Sequence, residues 1–198
     1  MNSLNIFLLG APRVERQDRP IEVDTRKAIA LLAYLAVAHS SGGLRRDSLA
    51  TFFWPEVDSA RAHGALRRTL SALHKALGGA GLKIDRETVS LERGPGTWVD
   101  VDDFHARLAE CRTHGHPADE TCAACLPRLL EAAELYHDDF MAGFSLRDSP
   151  AFDDWQFFQV ESLRRELAGA LERLARGLSA QGDFEAGIAQ VRDRKSVV

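Results

Sequence analysis

Apolar positions change their period along the chain. Between residues 4 and 23 they come in short bursts: LNIFLL at 4–9, closed by Gly10-Ala11-Pro12, a mixed RVE at 13–15, and the alternating Ile21-Glu22-Val23 after Pro20. Brief runs bounded by turn formers predict three short strands. After Asp24-Thr25, which offer capping oxygens, the pattern becomes almost continuously apolar through Ile29, Leu31, Leu32, Tyr34, Leu35 and Val37. That run predicts a helix over 25–38 at the buried centre of a first domain. Ser40-Ser41-Gly42-Gly43 is a turn, and residues 44–53 read as a second helix with Leu49, Phe52 and Phe53 inward. Trp54-Pro55 ends it, because proline disfavours helical backbone at the residue before it.

The clearest pattern lies at 58–77, DSARAHGALRRTLSALHKAL. Ala62, Leu66, Leu70, Leu73 and Leu77 recur at helical spacing and form one narrow apolar stripe. Gly64, Arg68 and Lys75 fall nearly opposite it, Arg61 and Ser71 beside them, and Arg67 on the flank. The polar face therefore carries four cations and no anion. Asp58 or Ser59 supplies the N-cap oxygen. A short helix, a tight break and a longer basic helix make a helix-turn-helix candidate whose second member would enter the major groove. The same charge pattern also suits a solvated helix face. Alternation at Leu82/Ile84 and Val89/Leu91 predicts a hairpin, followed by a further strand at 97–101 beyond Gly94-Pro95-Gly96. A hairpin in this place is a wing, and Lys83, Arg86 and Arg93 on it are in reach of phosphate.

From residue 101 the pattern is helical throughout. VDDFHARLAEC at 101–111 is amphipathic, a His-rich link follows, and 126–136 forms a helix with Pro127 in its first turn. After a connector at 137–144, Ser149-Pro150 opens a long helix with the stripe Trp155, Leu163, Leu167, Leu171, Leu174 and Leu178. Gln181-Gly182-Asp183-Phe184-Glu185 and a helix from 186 would complete a tetratricopeptide-like hairpin. One such pair cannot bury its own face, so a C-terminally incomplete domain is expected.

Charge divides the chain near Asp100. Residues 1–100 hold 14 Lys and Arg against 11 Asp and Glu, and residues 101–198 hold 11 against 18, so the halves carry +3 and −7. The first half suits a polyanion; the second repels one. The 198 residues allow one large or two small domains, here 1–100 and 101–198. The longest apolar run, 28–38, is too short to cross a bilayer, and no secretory pattern opens the chain, so a cytoplasmic protein is expected.

Three cysteines in that compartment leave free thiols or a metal site. Cys111, His114, His116, Cys122 and Cys125 lie within fifteen residues, and CAAC with upstream histidines has zinc-like spacing; a structural zinc on Cys111, His114, Cys122 and Cys125 would staple the link. The competing reading is incidental: a helix-start cysteine, a buried cysteine and solvated histidines. Asp138/Asp139 and Asp153/Asp154 are adjacent pairs that splay about 100° apart on a helix, so they read as caps and solvent-facing charges and not as an acid/base couple. Walker, nucleophile-elbow and dinucleotide motifs are missing from the sequence, so no enzyme and no cofactor beyond the zinc is expected.

The order of N-terminal strands, LLAYLA helix, WPE break, ARAHGALRRTLSALHKALGG helix and IDRETVSL wing resembles the OmpR-type winged-helix domain of the antibiotic regulatory protein group of bacterial activators. CLPRLLEAAELYHDDFMAGFSLRDSPAFDDWQ through LRRELAGALERLARGLSAQGDFEAGIA is similar to the bacterial transcriptional activator domain fused to it. The likeness spans about 4–191. It implies a mainly α protein, an α+β winged helix with small β-sheets followed by all-α, tetratricopeptide-like helices. It further implies an activator that binds repeated promoter sites on double-stranded DNA and touches RNA polymerase, with a homodimer and no membrane partner expected. By the same likeness Arg61, Arg67, Arg68, Ser71 and Lys75 match the groove-facing side of the recognition helix, Arg68 toward guanine, Arg67 and Lys75 toward phosphate; Gly64 and Arg86 join them as DNA-binding candidates. The rival is an interaction scaffold whose winged helix lacks DNA affinity.

Overall fold

The computed structural model describes residues 3–38, 42–115, 121–146 and 148–180. In chain order the elements are β1 (Leu4–Phe7), β2 (Arg13–Arg16), β3 (Arg19–Pro20), α1 (Arg26–Val37), β4 (Leu44–Arg45), α2 (Arg46–Phe53), α3 (Ser59–Ala76), β5 (Leu82–Ile84), β6 (Thr88–Leu91), β7 (Thr97–Val99), α4 (Asp100–Arg112), α5 (Cys125–Leu135) and α6 (Pro150–Ala180). The chain is thus mainly α with two small sheets, the fold class expected from sequence.

The first sheet has the order β3-β2-β1-β7. Gln17 and Asp18 take left-handed backbone, φ 51° and 59°, and this two-residue turn fixes the pairing of Arg16 with Arg19 and Glu15 with Pro20. The third strand therefore lies at 19–20 and not at 21–23 as the alternation suggested. Ile21 still donates its N–H to the Val14 carbonyl at 2.8 Å, and Ile21 and Val23 pack on the core outside the ladder. The strand predicted at 97–101 does not extend the wing: residues 97–99 pair parallel with β1, Ile6 opposite Val99, and the chain enters α4 at Asp100. The second sheet, β4-β6-β5, contains the hairpin. Its third strand consists of Leu44 and Arg45, which pair with Val89 and Thr88, so α2 starts two residues later than its apolar pattern implied.

Thr25 caps α1, accepting the Ala28 N–H at 3.1 Å, and Leu31, Leu32 and Leu35 are buried as expected. α4, α5 and α6 pack in succession. On α6, Leu163, Leu167, Leu171 and Leu174 are buried, with Trp155 and Leu178 half-buried beside them. The expected second helix of the tetratricopeptide-like hairpin, at 186–191, and its turn at 181–185 lie outside the described residues.

One buried cluster runs through both halves of the chain. Phe53 of α2 stacks near Phe152 of α6 with ring centroids 5.7 Å apart, and Tyr34 of α1 meets Trp155 edge-on at 4.9 Å. Of the described residues, no helix is long and apolar enough to cross a membrane.

Candidate nucleic-acid interface

α3 is positioned from three sides. Ala62, Leu66, Leu70, Leu73 and Leu77 are all buried, against α2 and α1. At its start the Asp58 carboxylate accepts the Arg61 N–H at 3.0 Å, which settles the N-cap in favour of Asp58. At its end Gly78 and Gly79 adopt φ 67° and 79° and donate to the Lys75 and His74 carbonyls at 2.9 and 2.8 Å, a Schellman close that requires left-handed backbone. The Arg16 guanidinium binds the Leu77 carbonyl there. Both ends are capped by hydrogen bonds from within the chain.

The opposite face projects outward. Arg61, Arg67, Arg68, Ser71 and Lys75 are exposed and Gly64 is half-exposed. Residues 61, 64, 68, 71 and 75 are spaced three or four apart, so they form one ridge, about 21 Å long at 1.5 Å per residue. Arg61 pairs with Asp58 at 3.3 Å. Arg67, Arg68 and Lys75 make no ion pair among the described residues. A Cβ on Gly64 would meet only the Arg68 Nη1, at 3.6 Å, so packing within the chain does not demand a glycine there.

Arg86 stands exposed at the tip of the β5–β6 hairpin, where the Asp85 N–H bonds the Thr88 carbonyl at 2.9 Å. The other two wing cations behave differently. Lys83 pairs with Asp85 at 3.7 Å. Arg93 turns inward, bonding the Ala36 carbonyl and the Asp102 carboxylate; it ties the hairpin's exit to α1 and α4, and burial holds its pKa below the ordinary arginine value. The expectation that it reaches phosphate is therefore corrected.

Sequence reasoning missed what lies beside the ridge. Ala65, Arg68, Thr69 and Ala72 form one wall of a cleft of about 950 Å³ whose other side includes Ser145 and Asp148. Lys27 at its base donates to the Phe53 carbonyl at 2.7 Å, pairs with Asp148 at 2.9 Å and lies 4.9 Å from the centre of the Trp54 ring. Arg26 donates twice to the Ser145 carbonyl, 119 residues away in sequence, at 3.0 and 2.7 Å. No local pattern signals a cleft assembled over such a separation.

The Cys/His residues also converge. Ligand atoms of His114, Cys122 and Cys125 all lie within 4.8 Å of one another, with His114 Nδ1 3.1 Å from Cys122 Sγ. Cys111 is buried and its thiol donates to the Cys125 carbonyl at 3.6 Å. Burial pushes the Cys125 thiol up to about 12, reinforced by the Cys122 and Cys111 side chains. His116 lies outside the described residues.

The acidic pairs do not converge on a common point. Asp138 accepts the Asp139 N–H at 2.7 Å, and Asp153 accepts the Leu146 N–H at 3.0 Å, in the first turn of α6. Asp139 is more than a solvent-facing charge: it accepts Arg164 Nε at 2.7 Å and a second bond from the same guanidinium, fixing the connector to α6.

No protein-family model and no curated protein matches the chain. Among solved structures, Mycobacterium tuberculosis EmbR, determined in complex with a low-affinity phosphopeptide, is similar with a TM-score of 0.73 at 22% identity, over 98% of this chain and 50% of that one. The chain spans about half the length of that structure, and the two share the winged-helix plus helical architecture.

Proposed function

We propose that the chain is the DNA-reading and helical part of a bacterial transcriptional activator of the antibiotic regulatory protein type, and not an enzyme. In this reading residues 1–100 bind promoter DNA, and residues 101–198 serve self-association or polymerase contact. The observation that carries it is the ridge on α3: a helix capped at both ends, buried along its leucine stripe, presents Arg61, Gly64, Arg68, Ser71 and Lys75 on its free side.

The physical mechanism follows from the side chains. Arg68, at the middle of the ridge, offers a planar fork that matches the O6 and N7 acceptors of guanine. Gly64, one turn before it, lets the helix backbone approach the base edges. Ser71, one turn after it, adds an adaptable hydroxyl. Arg61, Arg67 and Lys75 lie at the ends and flank, where phosphates border the groove, and Arg86 on the hairpin tip reaches the adjoining backbone. Phosphate contacts set affinity and register; Arg68 sets sequence.

The test is selection of the purified chain against a random duplex library near physiological salt. Enrichment of a repeated motif supports the reading. No enrichment, together with retention of a protein partner by an Arg67→Ala/Arg68→Ala variant, replaces it with the scaffold.

A further inference from the structure

We propose that His114, Cys122 and Cys125 bind one zinc ion, with Cys111 as the fourth ligand, and that this site locks the end of α4 to the start of α5. The site is independent of the DNA-reading face. Its ligands come as two pairs, Cys111-x2-His114 on one side of the link and Cys122-x2-Cys125 on the other. In the first pair, Cys111 lies in the last turn of α4 and His114 two residues past its end, both next to the link. In the second, Cys125 is the first residue of α5, and its N–H bonds the Cys122 carbonyl at 3.0 Å, closing a tight turn that brings the two sulfurs together.

The distances suit a tetrahedral thiolate–imidazole site. Zinc bonds of about 2.3 Å to sulfur and 2.0 Å to nitrogen place neighbouring ligand atoms about 3.4 to 3.8 Å apart. The three converging donors already lie within 4.8 Å of one another, with His114 Nδ1 and Cys122 Sγ 3.1 Å apart, so changes in separation of about an ångström bring them to that spacing. Cys111 needs a side-chain rotation away from the Cys125 carbonyl. A cavity of about 380 Å³ opens beside the cluster, lined by Glu110, Cys111, His114, Cys125 and Arg128, which gives the ion an entry path; the Arg128 guanidinium there is paired with Glu110 and Glu131. Three soft thiolates and one borderline imidazole favour zinc over magnesium or calcium.

The chemistry is ligand exchange alone. Each thiol that binds releases its proton to solvent, the imidazole binds through a ring nitrogen, and no electron moves.

Metal analysis of the full chain, purified without chelator, should find close to one zinc per chain. Cobalt(II) added to the chelated protein should give intense d–d bands of a tetrahedral site and near-ultraviolet thiolate charge transfer. A Cys122→Ser/Cys125→Ser variant should lose both signals while circular dichroism shows it folded. Cys111→Ser should keep the bands with charge transfer reduced by roughly a third, as expected for one sulfur of three. Less than about a tenth of an equivalent of zinc with no cobalt bands overturns the site, as does a Cys122–Cys125 disulfide in freshly purified protein. A cobalt spectrum unchanged by Cys111→Ser overturns the fourth ligand.

Discussion

The Asp100 carboxylate accepts the backbone N–H of Leu8 at 2.7 Å, joining the end of the first strand to the first residue of the helical half. The same oxygen accepts the Leu9 N–H at 2.8 Å, and the other takes the Val101 N–H at 2.8 Å. At 3% exposure it is, with Ser149, one of two buried polar residues among those described. Ser149 also bridges the halves, donating its hydroxyl to the Phe52 carbonyl at 2.9 Å.

Burial pushes the Asp100 carboxyl up to about 6, against three backbone N–H groups and Arg13, which pull it down. The folded-state pKa is above the unfolded one, so this group's stabilisation is full below about pH 4 and lost as pH rises through 6. That rise above the ordinary aspartate value corresponds to about 3 kcal/mol. Denaturant unfolding of the parent chain and Asp100→Asn, compared from pH 4 to 7.5, should show the parent losing about that much relative to the variant; a pH-independent difference would refute the assignment.

Phe53 is fully buried and touches rings from both halves, Tyr34 at 5.8 Å and Phe152 at 5.7 Å. Phe53→Ala should lower the unfolding free energy by about 3 to 5 kcal/mol, the cost of removing a core aromatic and leaving a cavity. Urea melts followed by tryptophan fluorescence measure this directly. A loss below about 1 kcal/mol would mean that the shared aromatic cluster does not hold the halves together.

Gly64 sits in mid-helix with room for a side chain. Gly64→Ala should stabilise the chain by about 0.5 to 1 kcal/mol, since alanine is the better helix former. Gly64→Leu should fold equally well yet bind selected DNA more weakly, because its side chain would stand between helix and base edges. Thermal melts and fluorescence anisotropy separate the two effects.

Arg86 and Arg93 should respond in opposite ways. Arg86→Ala should leave stability within about 0.5 kcal/mol and make the slope of log affinity against log salt shallower by about 1, the loss of one phosphate contact. Arg93→Ala should lower the melting temperature and leave the slope unchanged, because its guanidinium is spent on Ala36 and Asp102.

Features that repeat over a few residues were legible in sequence. The buried stripe and exposed ridge of α3 follow directly from a 3.6-residue period, and its start from the capping oxygens of Asp58 and Ser59, between which the Arg61 N–H bond to Asp58 decides. The two-residue strands at 19–20 and 44–45 carry no period of their own; a turn and a partner strand create them. The parallel pairing of 97–99 with β1 is likewise set by a distant partner. In sequence Asp100 fell inside the strand predicted at 97–101 and marked only the charge boundary, and Arg93 looked like one more wing cation. What fixes each is a contact far along the chain, to Leu8 and Leu9 for one and to Ala36 for the other. The cleft beside Arg68 was illegible for the same reason.

The central claim is that Arg68 reads a base while its neighbours hold phosphates. Affinity of the parent chain and Arg68→Ala for the selected duplex, and for each single-base variant of it, tests this most directly. The account predicts that Arg68→Ala loses about 1 to 3 kcal/mol on the selected site and no longer discriminates at one guanine, while the remaining positions keep their preferences. A uniform loss across all sequences, with a shallower salt slope and specificity intact at every position, would contradict it and make Arg68 one more phosphate contact.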